Sequence, residues 1–200
     1  MIAIIDYDAG NLKSVEKALA YIGEESVITG EREEILKADK VILPGVGSFG
    51  DAMANLKRLG LDDVIREVAA NGTPFLGICL GLQLLFESSE ETPGVEGLGI
   101  LKGKVLRIPD KEGLKIPHIG WNALHFVRSS GLFKYINEND CVYFVHSYYA
   151  TDCGDSVIAT TEYGREMTAA VELGNVKGCQ FHPEKSGKVG LAILKAFCED

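Results

Sequence analysis

A single cysteine stands where the chain changes from a strand-like run to a helix-like one. Residues 74–89 read PFLGICLGLQLLFESS, so Cys79 lies between Gly77 and Gly81. Glycine tolerates the sharp turn that such a corner needs, and Gly-x-Cys-x-Gly has the form of the nucleophile elbow that is best known with serine. The pattern predicts a thiol that projects at the carboxyl end of a sheet, where open α/β sheets hold their sites.

The same corner is expected to activate the thiol. A helix is predicted over 80–88, and its amino-terminal end favours the thiolate, which is the reactive form of cysteine. The backbone N–H of Leu80 would then point near an oxyanion that develops on a substrate. The alternative is that Cys79 is a small buried apolar residue, which is a common fate of free cysteines. The elbow alone leaves both interpretations open.

A cysteine nucleophile needs a base, and His182 in GCQFHPEKSG is the best candidate. A strand-like segment, 176–183, would deliver it to a strand end, as Cys79 is delivered. Pro183 favours extended backbone at His182, and residues two apart in an extended segment point the same way. Glu184 is therefore expected beside the His182 ring, where it would hold the ring in one tautomer.

Two alternatives compete with this base. His146, in YFVHSYYA, is another candidate base, but it has no carboxylate nearby in the sequence. We interpret HSYY as a wall of polar groups that could hold a small substrate. A metal site at His182 and Glu184 is the second alternative, but His-x-Glu offers at most two ligands and no third follows at metal-ligand spacing. We therefore expect no metal.

The hydrophobic pattern predicts the elements that position these residues. Short apolar runs alternate with helix-like segments in the first half, which is typical of a mostly parallel sheet covered by helices on both faces. Predicted strands lie at 2–5, 26–29, 40–44, 74–78, 102–108, 123–127, 141–150, 156–163, 168–174 and 176–183; predicted helices lie at 11–23, 31–37, 80–88 and 187–199, with one or two more within 51–70. We expect a single α/β domain, 1–200, with extra antiparallel strands in its C-terminal half.

Composition argues against several classes of protein. The 200 residues are 46% hydrophobic and 24% charged, which is ordinary for a globular domain. A net charge of −9, without a Lys/Arg-rich run, argues against general binding to nucleic acid or anionic membranes. The opening MIAIIDYDAGN resembles neither a signal peptide nor a membrane span. Five cysteines without a CxxC pair favour a reducing cytoplasm over a disulfide framework.

Taken together, the two motifs resemble the class I glutamine amidotransferase family. The resemblance is carried by GICLGLQLLFE around Cys79 and FHPEKS around His182. It implies a Cys-His-Glu triad that hydrolyses the side-chain amide of glutamine and releases ammonia, with no cofactor. Cys79 would be the nucleophile, His182 the general base and then acid, and Glu184 the residue that orients the histidine.

A glycine-rich loop, LPGVGSFG at 43–50, also fits this family, in which such a loop supplies oxyanion and substrate contacts. Gly45 and Gly47 would let backbone amides approach a ligand closely. Gln83 lies one helical turn beyond Cys79, on the same predicted face. The resemblance therefore implies that the oxyanion hole and the glutamine site are formed by Val46, Gly47, Leu80, Gln83, Ser147 and Tyr148.

Within this family, the chain resembles members that form one subunit of a heterodimer. IPHIGWN at 116–122, DYDAGN at 6–11, VHSYYA and the 200-residue length are similar to glutaminase subunits that pass ammonia to a barrel-type cyclase subunit of histidine biosynthesis. The triad would face that partner. The residues expected at the interface are Asn11, Trp121, Tyr143 and Lys185.

Three alternatives remain open at this point. The chain could be the glutaminase subunit of another synthase, such as that of pyridoxal phosphate, although PHIGWN argues against this. It could also be a cysteine-elbow protein without amidase activity, which would not need His-x-Glu at a strand end. Trp121 could pack in the core instead of binding a partner.

Overall fold

The apolar segments of the first half form the centre of a parallel sheet. In the computed structural model, which describes residues 1–8 and 10–200, strand β1 (Ile2–Ile5) pairs in parallel with β2 (Ser26–Thr29) on one side and β3 (Lys40–Leu43) on the other. Strand β4 (Phe75–Ile78) follows, parallel to β3. Every residue of β1 and β4 is buried, as expected for strands covered on both faces.

Helices cover the two faces of this sheet. One face carries α1 (Leu12–Tyr21) and α6 (Gly187–Cys198), and the other carries α2 (Arg32–Lys37), α3 (Phe49–Leu59) and α4 (Leu61–Ala70). Side chains along a strand alternate between the faces of its sheet, so successive residues of β1 belong to two different hydrophobic cores. The predicted region 51–70 thus holds two helices.

Strands from the second half extend the same sheet. Its order is β2-β1-β3-β4-β13-β12-β11-β8. Strand β13 (Val176–Cys179) lies parallel to β4, whereas β12 (Glu166–Leu173), β11 (Val157–Glu162) and β8 (His125–Phe126) continue it with antiparallel pairing. The predicted fold class, a mostly parallel central sheet with antiparallel additions, is confirmed.

Two smaller sheets complete the described part of the chain. In one, β10 (Tyr148–Thr151) pairs with β6 (Lys104–Arg107), which pairs with β5 (Ser88–Ser89). In the other, β7 (His118–Ala123) pairs with β9 (Cys141–His146). Short 3-10 turns lie at Gly131–Phe133, Gly154–Ser156 and Pro183–Lys185.

The helix predicted over 80–88 is wrong in its length. The structure forms a single turn there, α5 (Leu80–Gln83). Residues 84–86 are all fully buried, which does not suit a helix with one apolar stripe. Their backbone carbonyls accept hydrogen bonds from amides within residues 98–101, with donor–acceptor distances between 2.8 and 3.2 Å. Contacts with a later segment therefore replace the helical hydrogen bonds.

Three strand predictions also have wrong bounds. The segment 141–150 is broken at Ser147, because β9 pairs with β7 and β10 pairs with β6 in a different sheet. The segment 123–127 divides between β7 and β8, and β7 begins within the PHIGWN motif, which was not predicted as a strand. The segment 176–183 ends as a strand at Cys179 and turns into a 3-10 turn.

Candidate active site

Cys79 occupies a strained corner between β4 and α5. Its backbone has φ 54° and ψ −108°, a conformation that residues other than glycine rarely adopt and that is often found at functional sites. Its N–H donates to the carbonyl of Cys179 over 2.8 Å, which ties the corner to β13. A Cβ atom at Gly81 would lie 1.8 Å from the carbonyl oxygen of Leu43. The tight turn and the obligatory glycine are the features predicted for a nucleophile elbow.

The short length of α5 changes the expected source of thiol activation. A single turn aligns few peptide dipoles, so its positive end is weaker than that of the helix predicted over 80–88. Two side chains from the segment that follows β13 interact with the Cys79 sulfur instead. Gln180 donates a hydrogen bond to it, and His182 lies beside it.

His182 and Glu184 lie together and next to Cys79. The Nδ1 atom of His182 is 2.8 Å from Oε1 of Glu184, and both side chains are almost completely buried. The Cys79 thiol lies close enough to the His182 ring to raise its pKa. The predicted contact is present, but its reason differs. Only His182 is extended, and the 3-10 turn that begins at Pro183 curls Glu184 back to the ring.

These contacts determine the charge of His182. Burial lowers its pKa, but hydrogen bonds and charge interactions with Cys79 and Glu184 outweigh this effect and raise the pKa to about 9. At neutral pH the ring is an imidazolium that faces the sulfur on one side and a carboxylate on the other. An imidazolium in this position can donate a proton to a leaving group that departs from an adduct on Cys79.

His146 is not placed to act as the base. Its Nδ1 is 2.8 Å from the carbonyl oxygen of Tyr148, which only accepts, so Nδ1 carries the proton. Its Nε2 then accepts from Nδ1 of His118 over 2.9 Å. Burial is the main cause that lowers the pKa of His146 to about 3, and burial lowers that of His118 to about 4. Both rings are neutral, and both nitrogens of His146 already have partners.

A pocket of about 440 Å³ opens above Cys79. Its volume suits a small ligand. Gly47 in its wall has φ +104°, a conformation that favours glycine. The lining includes Cys79, His182 and every residue expected in the oxyanion hole and glutamine site, namely Val46, Gly47, Leu80, Gln83, Ser147 and Tyr148. The structure thus brings Cys79, His182 and the predicted binding residues to one cavity, with the Glu184 side chain buried outside its lining.

Gln83 is a buried part of this wall, only 5% exposed. Its Nε2 donates to the carbonyl oxygen of Tyr148 and to Oε1 of Gln180, each over 3.0 Å. Both amide hydrogens therefore have partners inside the protein. Its remaining acceptor, Oε1, is the atom that can receive a hydrogen bond from a ligand.

The residues expected at a partner interface lie in three different settings. Trp121 is 58% exposed, so the core-packing alternative is wrong. Its ring meets Tyr143 edge to face, with centroids 6.1 Å apart. The Tyr143 carbonyl in turn accepts from the backbone N–H of His182 over 2.9 Å. Lys185 is exposed and lines the pocket.

Asn11, the fourth of these residues, contacts the candidate triad directly. Its Nδ2 donates to Oε1 of Glu184, the same oxygen that His182 contacts. Asn11 stands at the start of α1 with φ 73° and forms no side-chain capping bond, although asparagine is a preferred N-cap residue. The Asn11 side chain binds the Glu184 carboxylate instead of capping the helix.

Sequence analysis missed the contacts of three residues. Tyr7 is fully buried and donates to the carbonyl of Pro44 over 2.9 Å, at the start of the glycine-rich loop. Glu91 lines the pocket and accepts from the N–H of Phe49 over 2.7 Å. Gln180 contacts the Cys79 sulfur. Tyr7 and Gln180 fall inside motifs that were recognised, whereas no pattern pointed to Glu91.

Metal-binding and membrane-spanning features can be assessed over residues 1–8 and 10–200. Among them, no group of three or more His, Cys, Asp or Glu side chains is arranged to hold a metal ion. His182 and Glu184 are hydrogen-bonded to each other, and Glu184 is also hydrogen-bonded to Asn11. No helix in this part of the chain has the length and apolar character needed to cross a membrane.

Comparison with known proteins assigns the chain to a family. The sequence model of the family described as Glutamine amidotransferase class-I matches residues 3–200. The chain therefore belongs to the class I glutamine amidotransferase family. A solved structure described as a crystal structure of glutamine amidotransferase superposes with a TM-score of 0.77 at 21% identity, covering 100% of this chain and 98% of that one. At that identity the likeness shows the shared fold alone.

Two relatives carry a more particular name. A protein of Lactococcus lactis subsp. lactis, Imidazole glycerol phosphate synthase subunit HisH, is 54% identical over 200 residues, covering 100% of this chain and 98% of the relative. A protein of Listeria innocua with the same name is 51% identical over 199 residues, covering 100% and 95%. This chain is thus similar over its full length to HisH proteins.

Proposed function

We propose that the protein is the glutaminase subunit of an imidazole glycerol phosphate synthase of histidine biosynthesis. It hydrolyses L-glutamine to glutamate and ammonia, and a barrel-type cyclase subunit, its partner in a heterodimer, receives the ammonia. One observation carries the glutaminase activity: Cys79, at a strained elbow above a pocket, lies beside His182, which is hydrogen-bonded to Glu184. Likeness to HisH proteins over the full length supports the pathway. The proposal treats residues 1–200 as one amidotransferase domain that acts in the cytoplasm.

The first half of the reaction forms a thioester. The Cys79 thiolate attacks the side-chain amide carbon of glutamine, and the amide oxygen becomes an oxyanion. The backbone N–H of Leu80 and amides of the loop at Val46 and Gly47 are the proposed donors to that oxyanion. The His182 imidazolium then gives its proton to the amide nitrogen, the carbon–nitrogen bond breaks, and ammonia leaves.

The second half restores the enzyme. Neutral His182 takes a proton from water, whose oxygen attacks the thioester carbon. The carbon–sulfur bond breaks, glutamate is released, and Cys79 returns as a thiolate beside an imidazolium. Glu184 orients the ring and stabilises its positive charge in both halves of the cycle.

The pocket wall is the proposed glutamine site. The amino-acid end of the substrate carries an ammonium and a carboxylate, so it needs both acceptors and donors. Oxygen Oε1 of Gln83 is a suitable acceptor, because both amide hydrogens of this side chain already have partners. Ser147 and Tyr148 line the same pocket at the break between β9 and β10.

The proposed partner binds at the mouth of this pocket. Ammonia released into water at neutral pH would be protonated and lost as a nucleophile, so a closed passage to the partner is needed. Trp121 and Tyr143 form an aromatic pair on β7 and β9, and tryptophan and tyrosine are enriched among interface anchors. Lys185 at the mouth and Asn11 against Glu184 complete the proposed interface.

The test of this function is covalent labelling followed by kinetics. The glutamine analogue diazo-oxonorleucine should alkylate Cys79, and free glutamine should protect it. Cys141, which is exposed, is the matched control and should show neither preferential labelling nor protection. Glutamine hydrolysis should be measurable in the complex with the cyclase subunit. The proposal is contradicted if glutamine does not protect Cys79 from labelling and no hydrolysis is found in that complex.

A further inference from the structure

We infer that Gln180 is a further catalytic residue, whose side-chain amide donates a hydrogen bond to the Cys79 sulfur and stabilises the attacking thiolate. The inference rests on the proposed function, in which Cys79 is the nucleophile. It adds a donor that neither the triad nor the oxyanion hole contains.

The position of Gln180 is fixed by its backbone and by burial. It directly follows β13, its N–H donates to the carbonyl of Ala169 over 2.8 Å, and its side chain is completely buried. The Nε2 atom lies 3.7 Å from the Cys79 sulfur, a normal separation for an N–H donor and the large sulfur atom. A buried amide needs hydrogen-bond partners, and the sulfur is one of them.

The direction of this hydrogen bond follows from its neighbours. The carbonyl of Tyr148 only accepts, so the group of Gln83 that faces it is the NH₂ group. The second hydrogen of that NH₂ group points to Gln180, 3.0 Å away, so the atom facing it is the amide oxygen Oε1. The NH₂ group of Gln180 is therefore the one that faces Cys79. The reverse orientation would place an oxygen lone pair against the sulfur.

The other groups around the sulfur show why this donor is needed. Of the titratable neighbours in the described part of the chain, only His182 is a cation that interacts with it. Tyr7 gives its hydroxyl hydrogen to Pro44, and Cys179 is fully buried, which raises its pKa well above the usual value and keeps it neutral. Helix α5 is one turn long. Negative charge on the nearly buried Cys79 sulfur would therefore be stabilised by side-chain donors.

An amide hydrogen also does something that His182 cannot do. The imidazolium gives its proton to the leaving amide nitrogen in the first half of the reaction and regains one from water in the second. The amide of Gln180 never transfers its hydrogen at neutral pH. It can therefore stabilise negative charge on the sulfur both when the thiolate attacks and when it is expelled from the thioester.

The test measures the reactivity of the Cys79 thiolate against pH. In the full chain, Gln180→Met removes the donor at similar volume, and Gln180→Glu replaces it with an acceptor. The rate at which iodoacetamide modifies Cys79 is followed by mass spectrometry of its peptide between pH 5 and 10. A hydrogen bond to a charged group contributes enough to move the midpoint up by about one pH unit, which lowers the rate below the midpoint about tenfold. Gln180→Glu should shift the midpoint at least as far.

Thr161→Val is the matched control. Thr161 is fully buried on β11, which is separated from β4 by two strands, and donates to the carbonyl of Ala123 over 2.8 Å. Its loss perturbs the sheet but not the sulfur, so the alkylation profile should match that of the wild type. If the alkylation profiles of the folded Gln180 variants also match the wild-type profile, the inference is overturned. Should Gln180→Met unfold, the profile of Gln180→Glu decides alone.

Failure of this inference can be distinguished from failure of the proposed function. Alkylation needs no glutamine, so an unshifted profile removes Gln180 from the mechanism and leaves the glutaminase intact. Failure of the protein to hydrolyse glutamine removes the function but not the hydrogen bond. Where hydrolysis is measurable, Gln180→Met should lower kcat about tenfold with little change in KM, because the side chain is buried away from the pocket and the sulfur gains negative charge as it leaves the thioester.

Discussion

Glu184 is unusual among the residues of the site in the way its two oxygens are used. Oxygen Oε1 faces both His182 and Asn11, whereas Oε2 is buried and has no hydrogen-bond partner in the described part of the chain. A carboxylate so arranged directs its hydrogen bonding to one side, toward the imidazole. The single carboxylate that the 3-10 turn places here can thus both orient the His182 ring and stabilise its positive charge.

The triad residues should differ in how much their loss costs. Removing the orienting acid usually costs less than removing nucleophile or base, so Glu184→Gln should retain more activity than His182→Ala. His146→Ala should have a milder effect on kcat than either. These comparisons are made by steady-state glutamine hydrolysis in the complex. If His146→Ala proves the most damaging, the base has been assigned wrongly.

The pH dependence of kcat should reflect the same roles of His182 and Glu184. The contacts of His182 raise its pKa to about 9, so the imidazolium that protonates the leaving amide nitrogen persists at neutral pH and is lost as pH rises through about 9. We expect kcat to fall over that range. Glu184→Gln removes a charge that raises this pKa, so the fall should begin at lower pH. A fall at the same pH in both proteins would contradict the role given to Glu184.

At the scale of elements, the start of α1 is tied to the catalytic carboxylate through Asn11. Asn11→Gly removes the side chain, and glycine adopts φ 73° without strain. Stability should therefore change little, while kcat falls about tenfold with little change in KM, since one hydrogen bond to a charged group is lost. Asn11→Asp, which sets a second negative charge against Glu184, should be more damaging. Thermal unfolding and kinetics of both variants check this, and an unchanged kcat in Asn11→Gly would contradict it.

The pair of β7 and β9 should make the protein sensitive to acid. His118 and His146 lie directly opposite each other in the two strands, and both pKa values are lowered from the usual 6.5, to about 4 and about 3. Below about pH 6.5 the unfolded chain binds protons that the folded chain does not, so the free energy of unfolding falls toward pH 4. His146→Gln should flatten this slope, and His125→Gln, on a partly exposed histidine, should not. Equal slopes in all three proteins would contradict the neutral pair.

Sequence patterns predicted the parallel core better than the walls of the site. Strands such as β1 and β4 are apolar at every position, and that signal is local. The end of α5 was missed because residues 84–86 bond to a segment more than ten residues away. The break at Ser147 was missed because it depends on which strands β9 and β10 pair with. Cys79 and His182 were found from short motifs, but the contact of Asn11 with Glu184 joins residues 173 positions apart and leaves no local pattern.

At the scale of the whole molecule, the site opens toward the face where a partner is proposed. If docking completes the oxyanion hole at residues 45–47, the isolated chain should hydrolyse glutamine slowly. Hydrolysis should rise on binding the cyclase subunit and again when that subunit holds its nucleotide substrate. One oxyanion donor is worth about 10²–10³ in rate, so stimulation of that order is expected. Equal rates in the three states would leave a plain, ungated amidase.

The exposed aromatic pair should contribute to that association. Trp121→Ala should weaken binding of the cyclase subunit about tenfold or more, as expected when an interface anchor is lost. Leu173→Ala is the matched control, because Leu173 is 56% exposed and pairs with Val176 at the end of β13 away from His182. It should bind normally. Titration calorimetry with each variant measures both, and equal losses would place the interface elsewhere.

The central claim is that Cys79 cleaves glutamine for a partner that uses the ammonia. Its most direct test is Cys79→Ala in the complex with the cyclase subunit, assayed twice. With glutamine, we predict that hydrolysis and synthase turnover are both abolished. With ammonium salts in place of glutamine, synthase turnover should persist, because the partner carries that chemistry. Glutamine hydrolysis near the wild-type rate in Cys79→Ala would contradict the account.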